Sequence, residues 1–137
     1  MSLKQTQRRA LCPECNGEIV SSQGQKDVGN YVHWFRSLRC ADCEYAIEED
    51  GDETPNEIRT FLIKRDGLWG LKLNTQERAS ASYKVIRDML ELPLSDILKI
   101  KKEKTDIIYK GTKVECLHYQ RRAFMCSLEL ECIELND

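Results

Sequence analysis

The chain lacks any apolar run approaching the roughly 20 residues a helix needs to cross a bilayer, and its polar start, MSLKQTQRRA, has no apolar core of the kind a secretory signal carries. A cytoplasmic protein with no membrane partner is therefore expected. A dominant charge is also missing: 21 Lys and Arg stand against 23 Asp and Glu, for a net charge of −2, so the molecule as a whole should not be drawn to nucleic acid. There is no internal repeat, no long low-complexity tract, no phosphate-cradling glycine loop, no cofactor fingerprint, no nucleophile–base pair and no paired acids in a recognisable frame. The sequence leans away from an enzyme, and no small-molecule ligand is indicated.

What is present is globular in composition, with 41% hydrophobic and 32% charged residues among 137. That length accommodates a metal-stapled module of about 50 residues followed by a compact domain of about 80. The turn-rich acidic stretch Glu48-Glu49-Asp50-Gly51-Asp52-Glu53-Thr54-Pro55-Asn56 has nothing apolar to bury and marks the boundary. The expected fold class is α+β. Residues 1–50 form a small β module, 51–57 an acidic linker, and 58–137 a compact domain with an antiparallel sheet and two or three helices.

Seven cysteines would suggest disulfides in a secreted protein, but an odd count and two CxxC pairs without an export signal favour reduced thiols and a metal. Cys12-Pro13-Glu14-Cys15-Asn16-Gly17 supplies one knuckle, with Asn16-Gly17 tolerating tight backbone after the second sulfur. Cys40-Ala41-Asp42-Cys43 supplies the other. Each CxxC turn sets two sulfurs on one side of a tetrahedron, and two turns complete it, which is the coordination Zn²⁺ takes in structural sites. One structural zinc ion is expected on Cys12, Cys15, Cys40 and Cys43, with iron as the lesser alternative for four sulfurs. A redox CxxC would sit in a βαβ context that residues 1–50 do not show, and would not need a twin. Four thiolates close the coordination shell, so the ion should hold the module together rather than activate water. Between the knuckles, two strands and a loop are expected, with Ser21-Ser22-Gln23-Gly24-Gln25 as a mobile loop.

In the second domain, Arg59-Thr60-Phe61-Leu62-Ile63-Lys64 reads as a strand joined through Asp66-Gly67 to a second strand, Leu68-Trp69-Gly70-Leu71-Lys72-Leu73. Tyr83, Ile86, Met89 and Leu90 fall on one face of a helix within Ser80–Glu91. Pro93 interrupts it, and Leu94-Ser95-Asp96-Ile97-Leu98-Lys99-Ile100 begins another. Thr105–Tyr109 is a short β segment, and Thr112-Lys113-Val114-Glu115 has the spacing of a capping box, opening a third helix, with a strand as the alternative. The alternation of Phe124, Cys126, Leu128, Leu130 and Cys132 with Met125, Ser127, Glu129 and Glu131 gives a closing half-buried strand.

The other reactive side chains have plainer readings. Cys116, Cys126 and Cys132 read as buried small hydrophobes, His33 as a spare where four cysteines suffice, and His118 as a core or surface residue two positions from Cys116 with nothing to orient it. Tyr31, Trp34 and Phe35 either pack under a small sheet or form a stacking platform. Lys99, Lys101, Lys102 and Lys104 form the one dense basic run, continued by Lys110, Lys113 and Arg121-Arg122. It is either a solvated face or a docking surface for an acidic protein or nucleic acid.

By its knuckles, the first part resembles a generic four-cysteine zinc ribbon, a family shared by transcription factors, ribosomal proteins, RNA-modifying proteins and adaptors. The segment Tyr83-Lys84-Val85-Ile86-Arg87-Asp88-Met89-Leu90-Glu91-Leu92-Pro93-Leu94-Ser95-Asp96-Ile97-Leu98 is similar to the two-helix segment of the bacterial ribosomal stalk protein's C-terminal domain. Lys110-Gly111-Thr112, a third helix and a closing strand fit that family's compact order, which is shared with the protease adaptor that reads destabilising N-termini. Pro93 departs from it, standing where the stalk family has glycine, as does the Asp66-Gly67 hairpin. The resemblance implies a protein-docking module whose basic helix surface meets partners, placing Lys99, Lys101 and Lys102 near the contact.

The expected function is therefore a non-enzymatic zinc-ribbon adaptor or regulator whose partner is another protein. The alternative is a nucleic-acid-binding ribbon, against which stand six basic and seven acidic residues in 1–49 and the charge of four thiolates. An enzyme with dispersed catalytic residues is the third possibility.

Overall fold

The structure, a computed structural model, describes residues 9–74, 80–103 and 106–135. The chain divides into two compact units, residues 1–65 and 66–137. Both α and β elements are present, in the α+β arrangement that the sequence implies.

Unit 1 is an antiparallel four-stranded sheet in sequence order: β1 (Arg9–Leu11), β2 (Glu18–Asp27), β3 (Val32–Cys40) and β4 (Ala46–Gly51). The expected mobile loop at 21–25 lies instead in the middle of β2. Its small and polar residues are held by alternation: Ser21 and Gln23 are buried on one face, and Gly24 lies directly across from Phe35. A Cβ on Gly24 would come within 2.6 Å of that ring, so the aromatic covers bare backbone that any other residue would fill. The actual turn is 28–31, where Gly29 has φ +108°, its N–H donates to Asp27 Oδ1 at 2.9 Å, and the Val28 N–H donates to the Tyr31 carbonyl at 3.1 Å. Trp34 lies across from Gly51 in the same way, but adjacent strand residues face opposite sides, so Trp34 and Phe35 do not make one stacking platform.

The segment expected as a strand at 59–64 is helix α1 (Asn56–Asp66). A short apolar run fits either period, and here Ile58 and Leu62, four apart, are the buried pair. The helix begins behind Pro55, whose carbonyl accepts from the Arg59 N–H at 3.0 Å. It ends at Gly67, whose φ of +95° suits a helix terminator. Asp66-Gly67 thus stops a helix rather than turning a hairpin. Lys64 and Arg65 in the last turn complement the helix dipole.

Unit 2 is a three-stranded antiparallel sheet of order β6-β5-β7, built from β5 (Leu68–Leu73), β6 (Ile107–Gly111) and β7 (Leu130–Leu135). Three helices accompany it: α2 (Ser80–Leu90), α3 (Leu94–Glu103) and α4 (Lys113–Met125). Leu71 and Leu73 of β5, Tyr83, Ile86 and Met89 of α2, Ile97 of α3, and Cys116 and Ala123 of α4 share one core with Leu128 and Leu130. The capping box is formed: Thr112 Oγ1 accepts the Glu115 N–H at 3.1 Å, and Glu115 accepts the Thr112 N–H at 3.0 Å. The Tyr109 hydroxyl donates to the same carboxylate at 2.9 Å. The closing strand starts later than the alternation suggests, because 124–125 complete α4 and Ser127, at φ +64°, turns the chain. Cys126 is consequently an exposed residue at a helix end, while Cys116 is buried and Cys132 half-buried.

Candidate metal centre

The antiparallel register brings the two knuckles together. β2 leaves the first knuckle at Glu18, turns at 28–31, and returns as β3 to place Cys40 opposite Ile19. The Ala41 N–H donates to the Glu18 carbonyl at 3.1 Å, joining the knuckles through the backbone. Within the first knuckle, the Cys12 N–H donates to the Gly17 carbonyl at 2.7 Å and the Asn16 N–H to the Cys12 carbonyl at 2.8 Å, with Asn16 at φ +63°. Gly17 is favoured by close approach: a Cβ there would collide with Asp42 Oδ2 and lie 3.1 Å from Cys15 Sγ and 3.2 Å from Asp42 Cβ.

The four sulfurs of Cys12, Cys15, Cys40 and Cys43 all lie within 4.8 Å of one another. Cys12 Sγ is 3.7 Å from Cys43 Sγ, and Cys15 Sγ is 3.4 Å from Cys40 Sγ. A tetrahedron with metal–sulfur bonds of about 2.3 Å has edges of about 3.8 Å, so the cluster has the size of a four-thiolate metal site. Backbone N–H groups point at the sulfurs: Glu14 to Cys12 at 3.3 Å, Asp42 to Cys40 at 3.3 Å and Tyr45 to Cys43 at 3.4 Å. Such donors favour the thiolate, the form that binds metal.

The Asp42 N–H draws the Cys40 thiol down to about 7. At Cys15 the Gly17 N–H acts in the same sense, but the sulfurs of Cys40 and Cys43, local desolvation and the Cys12 sulfur outweigh it and push the thiol up to about 12. Four thiolates this close repel one another, and a cation among them removes that conflict. The donor set therefore fits a thiophilic ion with a closed shell. Apolar packing beside it is slight: the buried cluster is Cys12, Ile19 and Cys40, bordered by Leu38, Cys43 and Tyr45.

His33 is not a fifth ligand. It lies seven residues up β3 from Cys40, about 23 Å along an extended strand, with Nε2 3.6 Å from Asp50 Oδ2. His118 is buried within α4, its ring 5.0 Å from that of Tyr119.

Of the basic run, Lys99, Lys101 and Lys102 are exposed on α3, and Lys104 lies outside the described residues. Lys101 Nζ stands 5.2 Å over the Tyr83 ring. The sequence reading missed that Leu94 and Leu98 on α3 are 53% and 54% exposed. The spacing gives no sign of this: Leu94, Ile97 and Leu98 stand at i, i+3 and i+4, the pattern of one buried face, of which only Ile97 is buried. No family model, curated protein or solved structure matches this chain.

Proposed function

We propose that the ion is one Zn²⁺ held structurally by Cys12, Cys15, Cys40 and Cys43, and that the chain is a zinc-ribbon adaptor of the cytoplasm that acts by binding another protein through α3. Four cysteine sulfurs at tetrahedral spacing support the first part, since zinc has no geometric demand beyond the tetrahedron and all-thiolate shells leave no position for water.

One observation carries the second part. Leu94 and Leu98 are four residues apart on an exposed helix face, with Lys101 and Lys102 following on the next turn. Solvated lysines alone would be an ordinary surface, but apolar side chains left uncovered beside them form an amphipathic patch suited to an acidic, leucine-bearing segment of a partner. The order helix, turn, helix, strand, helix, strand in 80–135 is also the order that the stalk-domain resemblance implies.

The test is recovery of a stable complex with the intact protein, compared with Leu94→Ser/Leu98→Ser and Lys99→Glu/Lys101→Glu/Lys102→Glu. Loss of the complex in both variants, with the helical signal retained, supports the reading. An undiminished complex in both overturns it.

A further inference from the structure

Strand β7 is an edge strand: among the described residues it pairs only with β5. Its free backbone groups follow from the ladder. The Leu73 N–H donates to the Asp106 carbonyl at 2.7 Å, so Leu73 turns its hydrogen-bonding groups toward β6. Leu130, opposite Leu73, is then in a non-hydrogen-bonded pair. The N–H and C=O groups of Leu130, Cys132 and Glu134 point away from the sheet. One of these positions already has a side-chain surrogate, because Gln120 Nε2 donates to the Leu130 carbonyl at 3.0 Å, the contact a neighbouring strand's N–H would make.

Beside this edge, Gln120, Arg121 and Phe124 of α4 and Glu129, Leu130 and Glu131 line an open groove of about 460 Å³. Phe124 is 64% exposed. Leu117, also exposed, is seven residues before it on the same helix face. Glu131 is exposed on the β7 face opposite that of Leu130, across from Lys72 of β5, and Glu129, also exposed, stands just before the strand. Carboxylates along the edge disfavour pairing with a second copy of this chain, which would set like charges against each other. They favour a strand whose alternate side chains are basic.

We propose that β7 and the groove beside α4 form a second docking site, which takes an extended basic segment of another protein as a fourth strand. Its alternation would place basic side chains against Glu129 and Glu131 and one apolar side chain in the groove against Phe124 and Leu130. Backbone pairing supplies the affinity and the groove the selection.

The experiment is an NMR titration of the full chain with a synthetic nine-residue peptide alternating lysine and valine, with a central leucine. Two control peptides are used, one with alternate amides N-methylated and one with glutamate for lysine. Strand addition slows hydrogen exchange at the Cys132 and Glu134 amides. The N-methylated peptide, the glutamate peptide, and the Phe124→Ala and Glu131→Lys variants should each weaken binding at least about tenfold. Absence of binding, equal binding of the N-methylated peptide, or shifts confined to another surface overturns the proposal, as does self-association through β7 without peptide.

Discussion

Cys116 lies within α4 and Cys126 caps its C-terminal end ten residues on, yet burial separates an inert thiol from an accessible one. Desolvation first, and then the neighbouring Cys132, push the Cys116 thiol up to about 12, whereas Cys126 is exposed at the helix end. Thiolate is the reactive form, so in zinc-loaded native protein iodoacetamide at neutral pH should modify Cys126 while Cys116 stays protected until denaturant is added; peptide mapping reads the difference. Gly17 is a second point of control. A Gly17→Ala change forces Cβ against Cys15 Sγ and Asp42 Cβ, and competition with a chromophoric chelator should show metal affinity reduced about tenfold, at the lower end of the cost of disturbing a ligand's support. Gln23 is buried, and neither of its side-chain amide atoms has a hydrogen-bond partner among the described residues. An unsatisfied buried amide costs about 1–3 kcal/mol, so Gln23→Met should raise the stability of unit 1 by about 1 kcal/mol in denaturant unfolding.

Among the elements, α4 depends on its first turn. Glu115 receives the Thr112 N–H and the Tyr109 hydroxyl, so one carboxylate joins the helix start to β6. Thr112→Ala should cost about 1 kcal/mol, and Glu115→Ala more, because it removes the carboxylate that accepts from both the buried Thr112 N–H and the half-buried Tyr109 hydroxyl. Chemical denaturation followed at Trp69, in a Trp34→Phe background, checks the order. Elements fixed by local chemistry were legible in the sequence: the knuckles by CxxC spacing, α4 by Thr112 and Glu115, and α2 by a long apolar stripe. Elements fixed by tertiary context were not. The run at 58–63 suits a strand or a helix, and only the joint burial of Ile58 and Leu62 decides for α1. The alternation from Phe124 onward mimics a strand because α4 happens to end on exposed Phe124 and Met125 before buried Leu128 and Leu130. Exposure of Leu94, Leu98 and Phe124 is likewise a property of the assembled unit rather than of any motif.

As a whole molecule, the chain holds two units stabilised in different ways. Unit 2 has a contiguous buried core from its sheet and helices. Unit 1 buries one apolar residue around its knuckles, Ile19, beside the Cys12 and Cys40 sulfurs, and two more on α1, Ile58 and Leu62. Burying a side chain of that size contributes about 1.5–3 kcal/mol, whereas a structural zinc site contributes about 10–16 kcal/mol near neutral pH. With the proposed zinc bound the metal term exceeds the apolar one, and the two units should respond differently to its removal. The most direct measurement is zinc content of the purified full chain, followed by hydrogen exchange with and without a strong chelator. One zinc per chain is expected and, on chelation, lost protection through β2, β3 and β4 with β5, β7 and α4 unchanged. Substoichiometric metal together with chelator-insensitive protection in β2 and β3 would contradict it and leave the four sulfurs to be tested as redox groups.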